Sequence, residues 1–436
     1  MRLAILLFGL LAAVTADRIL LLVEDQAVKD SHSIFINSLT NRGHKISIRT
    51  ADEPTLALFK HGELAYQHLI VFAPGVEDFG GSLSAKEIGR FVDAGGNLLV
   101  AASSNIGEAI RDLATETGFE FDEADTALID HFNYDSKLDN GQHTTLVADK
   151  SQFMNARLIT GDTASMNPVL FKGVALISDK TNLLKLEAVR AKSTAYSFNP
   201  DQAISEYPSA IGKQALLVGA LQARNNARVV LTGSLAMFSN EYINAQVTKE
   251  GQKPVPSGNL AFVTALSKWV LKESGVLRVK SVEHHKVGEK KPTEYTIMDE
   301  VEYAITIEEL SDGKWAPFQG KDVQLEFVRI DPFVRTTLKN TNGRLTAKFK
   351  LPDVYGVYKF MVDYRRIGYT HLYDVQQMSV RPLWHTQYER FIRSAYPYYA
   401  SAFSMMIGVV LFSVVFLYHK DSPQTQAAQA AAKKKD

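Results

Sequence analysis

Few residues in this chain have the types and spacing that chemistry requires, and most of them directly follow apolar runs. Glu24 and Asp25 follow one such run, and two neighbouring carboxylates could serve as a general acid and a general base. Adjacent residues at the end of a strand point in opposite directions, so a solvated pair is the simpler interpretation. The pair alone therefore predicts no reaction.

A second polar group precedes a predicted helix and has two interpretations. Ser103, Ser104 and Asn105 could hold an anion on free backbone N–H groups, or they could be helix caps, which need no ligand. We favour the caps. Ligands of α/β sheets bind outside the carboxyl ends of the strands. Any site is therefore expected among the polar and glycine residues at those ends: Glu24, Asp25, Gly75, Ser103, Ser104, Asn105, Gly233 and Ser234.

Other catalytic patterns are missing from the sequence. The chain has no cysteine, which excludes thiol catalysis and thiolate metal sites. The segment 232–236 lacks the second glycine of a G-x-S-x-G elbow, and neither G-x-G-x-x-G nor G-x-x-x-x-G-K-[ST] occurs. His284 and His285 are adjacent on a predicted strand, which favours a surface pair over a metal site. We expect no catalytic, cofactor-binding or metal-binding residue.

The elements that must position these residues begin with a predicted α/β domain, residues 17–274. Apolar runs typical of strands buried on both faces occur at Ile19–Val23, Leu69–Phe72, Leu98–Ala101 and Val229–Leu231. Helical periods lie between them, which predicts right-handed crossovers and a layered, mostly parallel sheet. Further strands are expected around 144–147, 174–177 and 184–189, and a hinge at the helix Asn259–Glu273 and its exit, Gly275.

The strand-helix order is similar to class I glutamine amidotransferase-like and flavodoxin-like folds, which implies a fold and not an activity.

From Gly275 onward, apolar side chains recur at every second residue instead of with the period of a helix. Val301, Tyr303, Ile305 and Ile307 alternate with polar or small residues, and three later segments repeat this alternation. Residues 275–385 are therefore predicted to form an antiparallel β-sandwich of immunoglobulin-like pattern.

The two ends of the chain predict how it is placed in a cell. Residues 1–16 have the charge, the apolar stretch and the small terminal residues of a signal peptide, which predicts cleavage between Ala16 and Asp17. Residues 395–418 carry no charge and are long enough to span a membrane, after an aromatic interfacial segment at 386–394. The body would then be lumenal and residues 419–436 a cytosolic tail, as in a single-pass type I protein of the lipid bilayer.

Two short patterns near the carboxyl end predict contacts of the span and the tail. Ala400, Ser404 and Gly408 recur every four residues, which places small side chains on one stripe of the helix and predicts packing on another membrane helix. Lys433 and Lys434 have the dilysine spacing that keeps proteins in the endoplasmic reticulum, although a solvated basic terminus is an alternative.

Composition excludes one class of partner. The 48 basic and 48 acidic side chains cancel, so no net positive field favours nucleic acid.

A resemblance covers nearly the whole chain. Its residues are the runs 18–23, 329–333 (Arg-Ile-Asp-Pro-Phe), 354–360 (Val-Tyr-Gly-Val-Tyr-Lys-Phe), 387–392 and 395–399. The sequence resembles the 48 kDa subunits of the oligosaccharyltransferase complex of the endoplasmic reticulum. The resemblance implies an accessory, non-catalytic subunit of the enzyme that moves a preassembled glycan from dolichyl pyrophosphate to Asn-x-Ser/Thr. The implied partners are the catalytic polytopic subunit, ribophorins and small membrane subunits.

Two other classes of protein remain open from the residues alone. One is a lumenal enzyme with an unusual site at the sheet edge, which would show turnover by itself. The other is a type I receptor or cargo adaptor of the secretory pathway, which would leave the endoplasmic reticulum.

Overall fold

The computed structural model describes residues 17–179, 181–249, 251, 253–311, 313–420 and 422–434. The predicted signal peptide, with Ala16, lies outside these residues, as do the last two residues of the chain.

Among the described residues, seventeen strands and seven α-helices precede Gly275. The strands are β1 Arg18–Val23, β2 Lys45–Thr50, β3 Phe59–Lys60, β4 Glu63–Leu64, β5 His68–Phe72, β6 Asn97–Ala101, β7 Phe119–Phe121, β8 Ala127–Ile129, β9 Leu146–Ala148, β10 Val169–Phe171, β11 Leu176–Ser178, β12 Lys185–Arg190, β13 Tyr196–Phe198, β14 Leu216–Gln222, β15 Arg228–Thr232, β16 Gln246–Val247 and β17 Val255–Pro256. The helices are α1 Ala27–Ser31, α2 Ser33–Asn41, α3 Ala85–Asp93, α4 Glu108–Glu116, α5 Arg157–Thr160, α6 Asn240–Asn244 and α7 Asn259–Val270.

The predicted apolar runs form the centre of one mixed sheet. Strands β2, β1, β5, β6 and β15 are parallel neighbours in that order, and β14, β11 and β7 extend the sheet with antiparallel pairings. Alternate residues of β1 enter two different cores: Leu21 packs with Phe35 of α2 and Trp269 of α7, and Leu22 packs with Phe91 of α3. Both faces of the sheet are therefore covered by helices, which is why the predicted runs in its central strands are almost entirely apolar.

The remaining strands in the described part of the chain form two five-stranded sheets. These strands are β18 Val276–Lys286, β19 Tyr295–Thr296, β20 Glu300–Ser311, β21 Lys314–Pro317, β22 Gln324–Val328, β23 Pro332–Thr337, β24 Lys339–Thr341, β25 Arg344–Lys350, β26 Gly356–Tyr364 and β27 Leu372–Arg381. Val301 and Ile305 of one sheet and Phe327 and Phe360 of the other share a single core. At the β24–β25 turn, Asn342 and Gly343 both have positive φ, as a two-residue hairpin requires.

Two helices end the described chain, α8 Tyr396–Tyr418 and α9 Pro423–Ala432. The 23 residues of α8 rise roughly 35 Å, enough for a hydrocarbon core of about 30 Å. The most apolar 18-residue window within residues 393–418 has a mean hydropathy of 2.3, and none of that window is buried against the body. The predicted fold class is confirmed: a layered, parallel-rich sheet domain, an antiparallel sandwich and one apolar C-terminal helix.

Candidate functional site

At the carboxyl ends of the parallel strands, the structure brings together some of the predicted residues. The Gly75 N–H donates to Glu24 Oε2 at 3.2 Å. A Cβ added at Gly75 would lie 2.8 Å from Glu24 Oε1 and 3.3 Å from the Asn105 amide nitrogen. Asp25 instead uses its backbone carbonyl to accept the Val28 N–H at the start of α1. Glu24, Gly75 and Asn105 are thus neighbours, and the backbone of Asp25 helps to begin α1.

The helix after Ser103, Ser104 and Asn105 begins later than their cap interpretation requires. Helix α4 starts at Glu108, and its N-cap residue is Gly107, which has no side chain to accept a bond. The interpretation of the three residues as caps is therefore wrong. The Glu108 N–H donates to Glu77 Oε2 at 3.3 Å, so a carboxylate of the chain itself occupies this helix end. With the exposed carboxylates of Glu24 and Glu77 nearby, the edge disfavours a bound anion.

Gly233 and Ser234 hold the framework of the domain together. The fully buried Ser234 hydroxyl donates to the Lys172 carbonyl at 2.7 Å and accepts the Met237 N–H. A Cβ added at Gly173 would lie 1.8 Å from the Gly233 carbonyl oxygen. The two glycines therefore let two backbone segments cross closely, which leaves no room for a ligand between them.

A cluster of titratable residues lies at the opposite edge, where sequence reasoning did not look. Asp17 and His44 directly precede β1 and β2, and His68 is the first residue of β5. Because these strands are parallel neighbours, their amino ends meet, and ligand atoms of the three side chains lie within 4.8 Å of one another. Part of the signal was available, because Asp17 and His68 precede strands that were predicted to be parallel, whereas no strand was predicted after His44.

Hydrogen bonds around His68 decide what this cluster can bind. The Asn97 side-chain oxygen accepts the Arg228 backbone N–H at 3.0 Å, so its amide nitrogen faces His68 Nδ1, also at 3.0 Å. Nδ1 must then be an acceptor, which puts the proton of neutral His68 on Nε2. A metal ion on Nε2 would move that proton to Nδ1, against the Asn97 donor. This network disfavours a metal ion on His68.

The same network gives His68 and Asp17 a different task. His68 is buried, and its Nε2 lies 3.5 Å from Asp17 Oδ2. The nearby His68 ring lowers the pKa of the Asp17 carboxyl, while burial lowers the pKa of His68. His44 Nε2 lies 2.8 Å from Glu273 Oε1, which also accepts from Arg42 at 2.9 Å. These contacts tie the amino edge of the sheet to the segment that follows α7.

Arg228 completes this edge and links the two domains. It is fully buried, and its guanidinium donates to the carbonyls of Trp269 at 2.6 Å, Ser274 at 2.8 Å, Gly275 at 2.9 Å and Gly368 at 3.1 Å. Burial lowers its pKa to about 9, so the group is still charged at neutral pH. The last carbonyl belongs to the loop between β26 and β27 of the sandwich. The predicted hinge at Gly275 thus carries several bonds between the domains, which oppose free motion there.

His284 departs from the predicted surface pair. It is buried, its ring stacks on Phe360 with centroids 4.9 Å apart, and its Nδ1 lies 2.8 Å from the Tyr295 hydroxyl. His285 lies on the other face of the strand and is half-buried. The opposed directions are confirmed, but the interpretation of both as surface residues is wrong because His284 fills the sandwich core.

The burial of His284 predicts that the sandwich loses stability in mild acid. Burial lowers the pKa of His284 to about 4, whereas an unfolded histidine titrates near 6.5. Between these values the unfolded chain binds a proton that the folded chain does not, so stability falls as pH falls through this window. We expect this group to remove about 2 kcal/mol between pH 8 and pH 5. Thermal unfolding of the full chain and of His284→Gln should show a smaller pH dependence in the variant, and identical pH dependence would contradict this assignment.

The predicted membrane and tail residues are all outside the packed body. Ala400, Ser404 and Gly408 are exposed on α8, and a Cβ added at Gly408 would meet nothing within 4 Å. The Ser404 hydroxyl donates to the Ser401 carbonyl of its own helix at 2.8 Å. Lys433 and Lys434 directly follow α9 and are exposed.

Comparisons with known proteins agree over almost the full length. Two family models match, one described as the OST48 N-terminal domain over residues 11–273 and one as the OST48 middle domain over residues 283–420. A protein of Caenorhabditis elegans named dolichyl-diphosphooligosaccharide–protein glycosyltransferase 48 kDa subunit is 62% identical over 96% of this chain and 95% of its own. Proteins of the same name are 54% identical in Danio rerio, over 95% of each chain, and 53% identical in Drosophila melanogaster, over 94% of this chain and 93% of that one. On both the domain models and these relatives, the chain belongs to the OST48 family.

Proposed function

We propose that this chain is a non-catalytic accessory subunit of the oligosaccharyltransferase complex, needed for its assembly and stability in protein N-glycosylation. One observation carries the proposal: relatives that bear the name of the 48 kDa subunit cover 94–96% of the chain, and the two family models cover both domains and the apolar helix. The resemblance found in the sequence points to the same complex. A receptor or cargo adaptor of the secretory pathway has no comparable support.

The geometry of the candidate edges supports a non-catalytic role. At the carboxyl edge the Glu77 carboxylate accepts the N–H of Glu108, the first residue of α4, and the Ser234 hydroxyl is hydrogen-bonded to backbone groups of the framework. At the amino edge the hydrogen bonds of Asn97 fix His68 toward Asp17. Each of these three side chains contacts a group of the framework, which supports a structural task for them rather than one as a nucleophile or its base.

An activity assay on the separated chain tests the non-catalytic role. The full chain, purified alone in mild detergent, should transfer no glycan from a dolichyl-pyrophosphate donor to an Asn-x-Thr peptide. The intact complex, assayed in parallel, should do so. Transfer by the separated chain that is lost in Glu24→Ala would instead identify an active site at the sheet edge.

We place the body in the lumen of the endoplasmic reticulum, with α8 as a single type I span. Signal cleavage after Ala16 would leave Asp17 as the first residue. Its carbonyl accepts the Lys45 N–H at 3.0 Å, so the new amino terminus would already be paired into the sheet.

Within the bilayer, the stripe of Ala400, Ser404 and Gly408 is proposed to pack on a helix of another subunit. Lipid tails are as apolar as leucine, so helix association there depends on close van der Waals contact, which small residues permit. Gly408→Leu should reduce recovery of partner subunits several-fold, whereas Val410→Leu should not. Both variants must insert equally, as judged by protease protection. Equal recovery of partners from the two variants would rule out the stripe as a contact.

Lys433 and Lys434 are proposed to return unassembled copies of the chain to the endoplasmic reticulum. Both side chains are exposed after α9, as a receptor-read signal requires. Replacing both by Ser should let an overexpressed, unassembled copy reach the Golgi, measured by fluorescence microscopy against a Golgi marker. If the variant stays in place, another determinant retains the chain.

A further inference from the structure

One end of the sandwich carries an exposed apolar patch. Ile330, at the β22–β23 turn, is 83% exposed, and Tyr355, just before β26, is 63% exposed. Three more exposed apolar side chains lie in the same two segments. Together these residues form what is called here the loop patch: Ile330, Phe333, Val354, Tyr355 and Val357.

The loop patch is fixed to the sandwich core. The Arg329 guanidinium donates to the Tyr355 carbonyl at 3.0 Å, which joins the two segments. The Tyr358 hydroxyl donates to the Val354 carbonyl at 2.8 Å. The Phe333 ring lies 5.6 Å from that of Tyr358, which is buried in the core. The patch is therefore a preformed surface that remains exposed although its loops are well held.

This end of the sandwich is the one from which the chain leaves for the membrane. Gly356, the first residue of β26, pairs with Val380 near the end of β27. Val328, the last residue of β22, pairs with Lys359, so the turn that carries Ile330 projects beyond the same end. Strand β27 ends at Arg381, and the apolar helical segment starts at residue 393. The loop patch thus lies at the end of the sandwich from which the chain continues toward the span.

The connecting segment has a matching composition. The Arg381 guanidinium lies 4.7 Å from the centre of the exposed Trp384 ring. Exposed aromatic residues continue from there into α8, as is usual at the boundary between membrane and water. The basic Arg329 and the acidic Asp331 offset each other in the turn, and one exposed carboxylate, Asp353, precedes the second segment.

We propose that the loop patch inserts into the headgroup and upper acyl region of the same bilayer that α8 crosses, so that the sandwich rests directly on the membrane. Insertion would remove Ile330 and Phe333 from water and leave the Tyr355 hydroxyl among the headgroups. The inference depends on α8 crossing a membrane and not on membership of the complex.

Because the chain contains no cysteine, a single introduced thiol can report on the patch. Ile330→Cys, in the full chain, is labelled with the fluorophore NBD and reconstituted into phosphatidylcholine nanodiscs with or without doxyl-labelled lipid. We expect a blue-shifted emission and at least twofold quenching by the doxyl lipid. The control is Lys314→Cys. Lys350 ends β25 shortly before Val354 of the patch, and it pairs with Glu300 at the start of β20. The other end of β20, Ser311, pairs with Lys314, so Lys314 lies at the far end of the sandwich. It should show neither effect.

Tyr355→Cys repeats the measurement on the second segment, in case Ile330→Cys folds poorly. Equal emission and equal quenching at the patch and at Lys314→Cys would overturn the proposal. A probe that stays water-exposed in nanodiscs and becomes protected only in a complex with other subunits would also overturn it, because that result assigns the patch to a protein contact.

Discussion

Replacing Arg228 by Met should lower the free energy of unfolding by about 3–5 kcal/mol, the range for breaking a buried charged network. The methionine fills part of the space but leaves the carbonyls of Trp269, Ser274, Gly275 and Gly368 without their donors. Because those carbonyls come from both domains, the α/β domain and the sandwich should both be affected. Thermal unfolding of the full chain in detergent should show a Tm lower by roughly 10 °C.

The matched control is Arg224→Met, the same chemical change four residues earlier at an exposed position. It should stay within about 0.5 kcal/mol of the parent chain. Arg228→Lys should fall between the two, because a single ammonium cannot reproduce the planar fork of donors. Equal Tm values for Arg228→Met and Arg224→Met would contradict the assignment of Arg228 as the link between the domains.

Gly233→Ala should be the second severe change, with a loss of about 3 kcal/mol or more, at the upper end of overpacking costs. The new Cβ would lie 1.9 Å from the Val174 carbonyl oxygen and 3.2 Å from the Phe171 ring. The first neighbour is backbone, which can move only if the crossing of the two segments opens. Denaturant unfolding followed by circular dichroism would measure the loss.

Gly89→Ala is the comparison for that variant. Its Cβ would approach only the Glu116 side chain, at 3.1 Å, and Gly89 lies within helix α3. A flexible glutamate can move aside, and alanine favours a helix over glycine by up to about 1 kcal/mol. A neutral or slightly stabilising result is expected. If both alanine variants were tolerated equally, the close crossing at Gly233 would not exist as described.

The sequence predicted most of the architecture because burial on two faces leaves a strong pattern. The runs at Ile19–Val23 and Leu98–Ala101 are apolar at every position, and both became central parallel strands. The alternation from Val301 to Ile307 likewise became β20, with one face in the sandwich core. In these segments the local pattern and the tertiary environment agree, so periodicity alone identifies the element.

The candidate site was harder to predict because its geometry depends on distant residues. Glu77, rather than Ser103 or Asn105, contacts the start of α4. This contact depends on how two loops at the sheet edge approach each other. The bonds of Arg228 to Gly275 and Gly368 join segments far apart in the sequence, and nothing in the local pattern marks it as buried. His284 was misjudged for a similar reason: its partners, Tyr295 and Phe360, come from the opposite sheet.

The central claim, membership of a working oligosaccharyltransferase, is tested most directly by purifying the full chain from its own microsomes. An affinity-tagged copy, extracted in mild detergent, should bring with it the other subunits, identified by mass, and the activity that transfers glycan from dolichyl pyrophosphate to an Asn-x-Thr peptide. Recovery of the intact, membrane-inserted chain without the activity and without the other subunits would contradict the account.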